Sequence, residues 1–143
     1  MSQNQNSAQI QFKALELLHS SVNVPQEPNV EVGNFHFNIN LDTKADGAQK
    51  LLVMIVQVEV RSEDQQHLLG AMVVSNIFEV TNFEQVITAD FSGNLNVPPG
   101  ITELLAAQSV ATMRGLMFAT FKGTFLHNAV LPLIDTRAQQ QQN

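Results

Sequence analysis

The chain has 143 residues, enough for one domain. It is 44% hydrophobic and only 14% charged, against about 25% charged in ordinary soluble domains, so its surface should be polar, sparsely charged and partly covered by other subunits. Seven Lys and Arg against thirteen Asp and Glu leave a net charge of −6, which supplies no basic patch for a nucleic-acid duplex or an anionic membrane surface.

The opening MSQNQNSAQ has neither the basic nor the apolar region of a secretory signal, and the sequence reads as cytoplasmic. Residues 1–8 and 137–143 are rich in Gln and Asn and read as disordered tails around a single domain, 9–136. The first ordered segment runs from about Gln9 to Val24. Ile10, Phe12, Ala14, Leu18, Val22 and Val24 share one parity, as a strand face requires, but Leu15 and Leu17 fall on the other. Either both faces are partly covered or a bulge intervenes near Glu16. Pro25 and Pro28 end the run, and Pro25–Asn34 reads as a loop.

Phe35–Asp42 alternates Phe35, Phe37, Ile39 and Leu41 with His36, Asn38, Asn40 and Asp42, the pattern of a half-buried strand with one wet face. After a turn at Lys44–Gly47, Lys50–Arg61 forms the third strand and His67–Val80 the fourth, separated by the polar turn Ser62–Gln66. Short polar turns favour an antiparallel meander. The longest apolar run, Leu51–Val56, is too short to span a bilayer, so no membrane insertion is expected.

Thr81–Gly100 is mixed and ends at Pro98, Pro99 and Gly100. A long helix over Ile101 to about Lys122 follows, with Thr102 as N-cap and Glu103 in its first turn. Ala106, Val110, Met113, Met117 and Phe121 recur at helical spacing, beside a row of Leu105, Ser109, Thr112 and Leu116. Gly123 is placed to stop the helix. Phe125–Ile134 is apolar, broken by His127, Asn128 and Pro132, and reads as extended. Four strands then one helix make an α+β pattern, a four-stranded antiparallel sheet with the helix packed on one face. One helix shelters too little of such a sheet. Leu15, Leu17, Val73 and Phe78 lack an obvious cover within the chain, and oligomerisation is the natural remedy.

In its last third the sequence resembles the SecB family of export chaperones. Gly123-Thr124-Phe125 directly follows the helix, and Pro132, seven residues after Phe125, is followed by Leu133 and Ile134. Thr112-Met113-Arg114-Gly115 is similar to the helix of short SecB-like relatives. The resemblance implies a homotetramer, a dimer of dimers with helices sandwiched between sheets. It implies an ATP-independent holdase that binds unfolded precursor polypeptides in apolar grooves for protein transport and passes them to a SecA-type motor. Two departures stand out. The family's second helix would have to fit in Thr136–Asn143, which is mostly Gln and too short. The acidic residues that face SecA are not recognisable, since Ser20, Ser21 and Asn23 occupy the equivalent stretch, and coupling to the motor is therefore in doubt.

Chemistry elsewhere is sparse. There is no cysteine, hence no disulfide, thiolate metal site or Cys nucleophile. His19, His36, His67 and His127 include no pair at helical metal-site spacing and read as solvated or interface residues. Glu79, Glu84 and Asp90 read as surface charge rather than as working carboxylates. Lys122-Gly123-Thr124 ends a helix, whereas a phosphate loop begins one. No enzyme, cofactor or metal is implied. The candidate site is a client groove, with Val22, Val24, Val30, Val32 and Phe35 on one side and Leu131, Leu133 and Ile134 on the other; the competing reading of these residues is core or subunit interface. Three functions follow. The first is the holdase, the second an oligomeric adaptor that recognises one protein partner, and the third a small-ligand binding domain or enzyme.

Overall fold

The computed structural model describes residues 7–26 and 34–134. The tails, except for Ser7 and Ala8, lie outside these residues. So do Val30 and Val32.

Four long strands form one antiparallel sheet: β1 (Ile10–Val22), β2 (Phe35–Asp46), β3 (Leu51–Ser62) and β4 (Leu68–Val80). Their spatial order is β1-β4-β3-β2. Only β2, β3 and β4 form a meander. The first strand pairs with β4 and not with β2. The reason lies in the connections. Tight turns over 47–50 and 63–67 oblige their flanking strands to be neighbours, with Lys50 and Gln65 at positive φ. The longer stretch between Val22 and Phe35 imposes no such constraint.

Parity then decides the core. Leu52, Met54, Val56, Val58 and Val60 of β3 and Met72, Val74, Phe78 and Val80 of β4 are buried on one face. Phe35, Phe37, Ile39, Leu41 and Ala45 of β2 pack beside them. A short helix α1 (Phe83–Val86) and a small hairpin, β5 (Thr88–Ala89) with β6 (Leu95–Asn96), fill the mixed segment. Asp90 closes the hairpin by accepting from the backbone N–H groups of Ser92 and Asn94.

The long helix, α2 (Pro99–Phe121), lies on that face and contacts β3 and β4. It buries Leu105, Ala106, Ser109, Val110, Met113, Met117 and Phe121, the whole of the first row read from the sequence and half of the second, whose Thr112 and Leu116 are half-buried. It starts earlier than expected. Pro98 holds the N-cap position and Pro99 the first turn, while the Thr102 hydroxyl donates back to Pro98 O and caps nothing. Proline suits that position because its missing N–H would have had no helical partner. Gly123, at φ +82°, ends the helix as its sequence position predicts. By length and composition α2 could cross a bilayer, but its apolar rows are occupied by the sheet.

Beyond α2 the chain is not simply extended. Residues 122–128 form turns, then 129–134 run on without regular structure, and Leu126, Ala129 and Leu131 enter the core. Arg114 pins this stretch to the helix: its Nε donates to Leu131 O at 2.7 Å and its Nη2 to Pro132 O at 2.9 Å. Leu126 and Phe121 come down on Gly70, where a Cβ would stand 2.6 Å from Leu126 Cδ1 and 3.0 Å from Ser21 O. Glycine there lets the segment close over β4.

Candidate polypeptide-binding surface

The irregular parity of the first strand has a structural cause. Pairing of β1 with β4 slips twice, between Phe12 and Ala14 and between Leu17 and His19. The bulges sit at Lys13 and Leu18, on either side of the expected position near Glu16. Each extra residue reverses the facing pattern. Ile10 and Phe12 oppose Val80 and Phe78; Leu15 and Leu17 oppose Asn76 and Val74; Val22 opposes Gly70. All of these partners lie on the helix side of β4. Two bulges therefore bring apolar residues of both parities onto one face.

That face of β1 is not covered. Phe12, Leu15, Leu17, Leu18 and Val22 are all exposed, Leu17 at 55%. Phe78, by contrast, is buried: Phe12 stacks on it at a ring-centroid distance of 4.4 Å, and Val73 is half-buried. Of the four residues read as lacking cover, only Leu15 and Leu17 are left in the open. Among the described residues the other edge of β1 carries no partner strand.

The predicted groove residues occupy several places. Val22 ends β1, and Val24 follows it at 73% exposure, with Asn23 holding this end through its backbone N–H to Leu69 O and its Nδ2 to Leu68 O. Phe35 starts β2, on the opposite edge of the sheet, with β4 and β3 between it and Val22. It is half-buried against the core. Leu131 is closed inside the core at 1% exposure, Leu133 stands in solvent at 94%, and Ile134 is half-buried. Strand order thus brings Val22 and Val24 together and holds Phe35 apart.

A second apolar surface escaped the sequence reading. Phe118 falls outside the buried rows of α2 and is exposed, as is Val130. An open hollow of about 410 Å³ lies between them, lined by Ala111, Arg114, Gly115, Phe118, Ala129 and Val130. A second, of about 580 Å³, shares Phe118 and continues along Lys122, Gly123, Thr124, His127 and Asn128. The available signal was a phenylalanine out of phase with its helix, next to small residues.

The Ser62 hydroxyl and the Gln66 N–H donate to Asp64 and hold its carboxyl below the usual range. Among the described residues no cluster of His, Asp and Glu could hold a metal. Asn76 and Ser109 are buried polar side chains of the core; Asn76 Nδ2 donates to Met54 O.

A four-stranded antiparallel sheet of order β1-β4-β3-β2, one long helix across it and an irregular C-terminal stretch on that helix can be compared with solved proteins. A SecB-like chaperone of Mycobacterium tuberculosis, Rv1957, solved with a ChAD peptide from the HigA1 antitoxin, superimposes with a TM-score of 0.58 over 87% of this chain and 90% of that one, at 13% identity. The fold is SecB-like. A Streptococcus agalactiae protein of unknown function matches more weakly, at TM-score 0.42 and 13% identity over 81% of this chain and 90% of its own. No protein-family model and no curated protein matches the sequence. The SecB-like fold agrees with the resemblance drawn from Gly123-Thr124-Phe125 and Pro132, at an identity where sequence comparison alone is silent.

Proposed function

We propose that this protein is an ATP-independent holdase that binds non-native polypeptides through apolar surface and works as a homo-oligomer. One observation carries this reading. A chain that has already filled its own core leaves large apolar side chains in solvent on two separate surfaces, along β1 and along the outer flank of α2. Exposed apolar patches of that kind mark binding surfaces. The β1 surface, with its free edge, suits a second copy of the chain. The α2 flank suits clients, with Leu133 as a further apolar contact, Ile134 as a half-covered one and Leu131 as packing beneath; Val22 and Val24 go with the β1 surface, and Phe35 lies apart on the other edge of the sheet. No nucleotide or metal enters this binding. Handover to a SecA-type motor is not part of the proposal, because Ser20, Ser21 and Asn23 offer no acidic surface for it.

Light scattering of an unfolded substrate diluted into buffer tests the reading. Suppression of aggregation at a few-fold excess of the protein, without ATP, is the expected outcome; unchanged aggregation at that excess refutes it.

A second reading draws on the mycobacterial neighbour, whose bound peptide comes from one defined protein. On this reading the chain is an adaptor for a single partner. Affinity capture separates the two: one stoichiometric partner favours the adaptor, a broad set of non-native chains the holdase.

A further inference from the structure

The two hollows along α2 share Phe118 as a common wall and differ in chemistry; taken together as one channel they support an inference that rests on the polypeptide-binding reading above. At one end the wall is apolar and small, with Ala111, Gly115, Phe118, Ala129 and Val130. At the other end stand Lys122, His127, Thr124 and Asn128. Arg114 lines the apolar end, its Nε and Nη2 donating to the carbonyls of Leu131 and Pro132, and among the described residues no carboxylate pairs with it. The one ion pair among the described residues joins Arg61 to Glu59 on β3. Among the described residues no carboxylate lines either hollow. In a chain of net charge −6, a channel that gathers two of its seven Lys and Arg and one of its four His is a local reversal of sign.

We infer that this channel takes an extended segment of another polypeptide with a large apolar side chain at one end and a carboxylate at the other. Its dimensions fix the spacing. Gly115 and Lys122 are seven residues apart, about 10 Å along the helix axis. An extended peptide covers that in about three residues. The apolar residue seats over Gly115 beside Phe118, and an Asp or Glu three residues on reaches Lys122 and His127. The protein's overall negative charge opposes acidic segments only over longer distances, which are screened at physiological salt.

Three dye-labelled decapeptides test this at 0.15 M salt by fluorescence polarisation. They share one Phe and differ three and four residues later, carrying Glu-Glu, Gln-Gln or Lys-Lys. The expected order of affinity is Glu, then Gln, then Lys, with Glu over Gln by about two- to ten-fold, the range for one or two exposed ion pairs. Lys122→Glu should invert the order. Gly115→Leu should abolish binding of all three without loss of melting temperature, because a Cβ at Gly115 meets nothing within 4 Å and leucine favours a helix over glycine. Equal affinities, or a preference for Lys, overturn the inference even if aggregation suppression persists. Binding that survives Gly115→Leu overturns it too, and so does a Gly115→Leu variant whose native mass falls, since the channel would then be a subunit contact. Absence of all peptide binding together with absence of suppression removes the holdase reading as well.

Discussion

Asp64 shows how much one side chain organises. It sits in the β3–β4 turn, where its carboxylate accepts from Ser62 Oγ and from the Gln66 N–H. Ser62 Oγ in turn accepts from the His67 N–H, and Gln65 adopts φ +64° within the turn. These bonds favour the charged carboxylate, so its folded-state pKa lies below the unfolded value. The sign follows. The stabilising contribution is complete above the unfolded value of about 3.9 and disappears as pH falls through the lower, folded value. Amide exchange at Gln66 and His67 should therefore accelerate relative to the centre of β3 as the protein is taken below pH 4. Asp64→Asn should remove that acceleration while leaving the rest of the sheet unchanged. Exchange at Gln66 that follows the same pH course in both proteins would rule this out.

Elements were legible where one covering surface dictated their pattern. On β2 the alternation of Phe35, Phe37, Ile39 and Leu41 matched the buried face, because one side met the core and the other met water. On α2 the rows through Ala106 to Phe121 were equally plain. β1 was legible only as a conflict of parity. A bulge adds a residue without leaving any composition signal, and two of them near Lys13 and Leu18 produced a pattern that one bulge near Glu16 could not explain. The pairing of β1 with β4 was not legible either, since nothing local to residues 23–34 selects an edge. The predicted groove was read by position along the chain, whereas strand order carries Phe35 to the far edge and packing carries Leu131 inside. What the sequence did hold, unread, was Arg114 in Thr112-Met113-Arg114-Gly115. Its guanidinium fork clamps two successive carbonyls, a task that fits its fixed donor geometry and not the single ammonium of lysine. Arg114→Ala should cost about 1–3 kcal/mol, as charged hydrogen bonds to the backbone do. Faster amide exchange at Ala129 and Val130, whose N–H groups donate to Leu126 O and Asn128 O, should accompany it. Arg114→Lys should recover less than half of the loss in chemical denaturation. Full recovery by lysine would mean that charge alone, and not the fork, holds the segment.

At the scale of the molecule the two sheet edges differ. β2 turns His36, Asn38, Asn40, Asp42 and Lys44 outward on its wet face, polar and charged residues that discourage pairing. β1 offers thirteen residues with Phe12, Leu15, Leu17, Leu18 and Val22 exposed beside a free row of backbone donors and acceptors. Covering a half-exposed side chain of this size recovers about 1 kcal/mol. Five from one chain give about 5 kcal/mol, at the low end of the 4–15 kcal/mol that association costs in lost freedom. A two-fold contact of β1 with its own copy covers both sets, doubles the gain to about 10 kcal/mol, and adds a ladder of backbone bonds. A lone client strand lacks that doubling, which is why the edge favours a second copy and the α2 channel is left for clients. Native mass spectrometry at micromolar concentration should accordingly show an even-numbered oligomer. The double substitution Leu15→Lys, Leu17→Lys places like charges on both sides of the two-fold and should shift that mass to the monomer. Far-ultraviolet circular dichroism should stay unchanged, because both side chains are already in solvent within one chain. A wild-type protein that is strictly monomeric under these conditions would contradict the assignment of β1. An oligomer indifferent to the two lysines would place the subunit contact elsewhere on the fold.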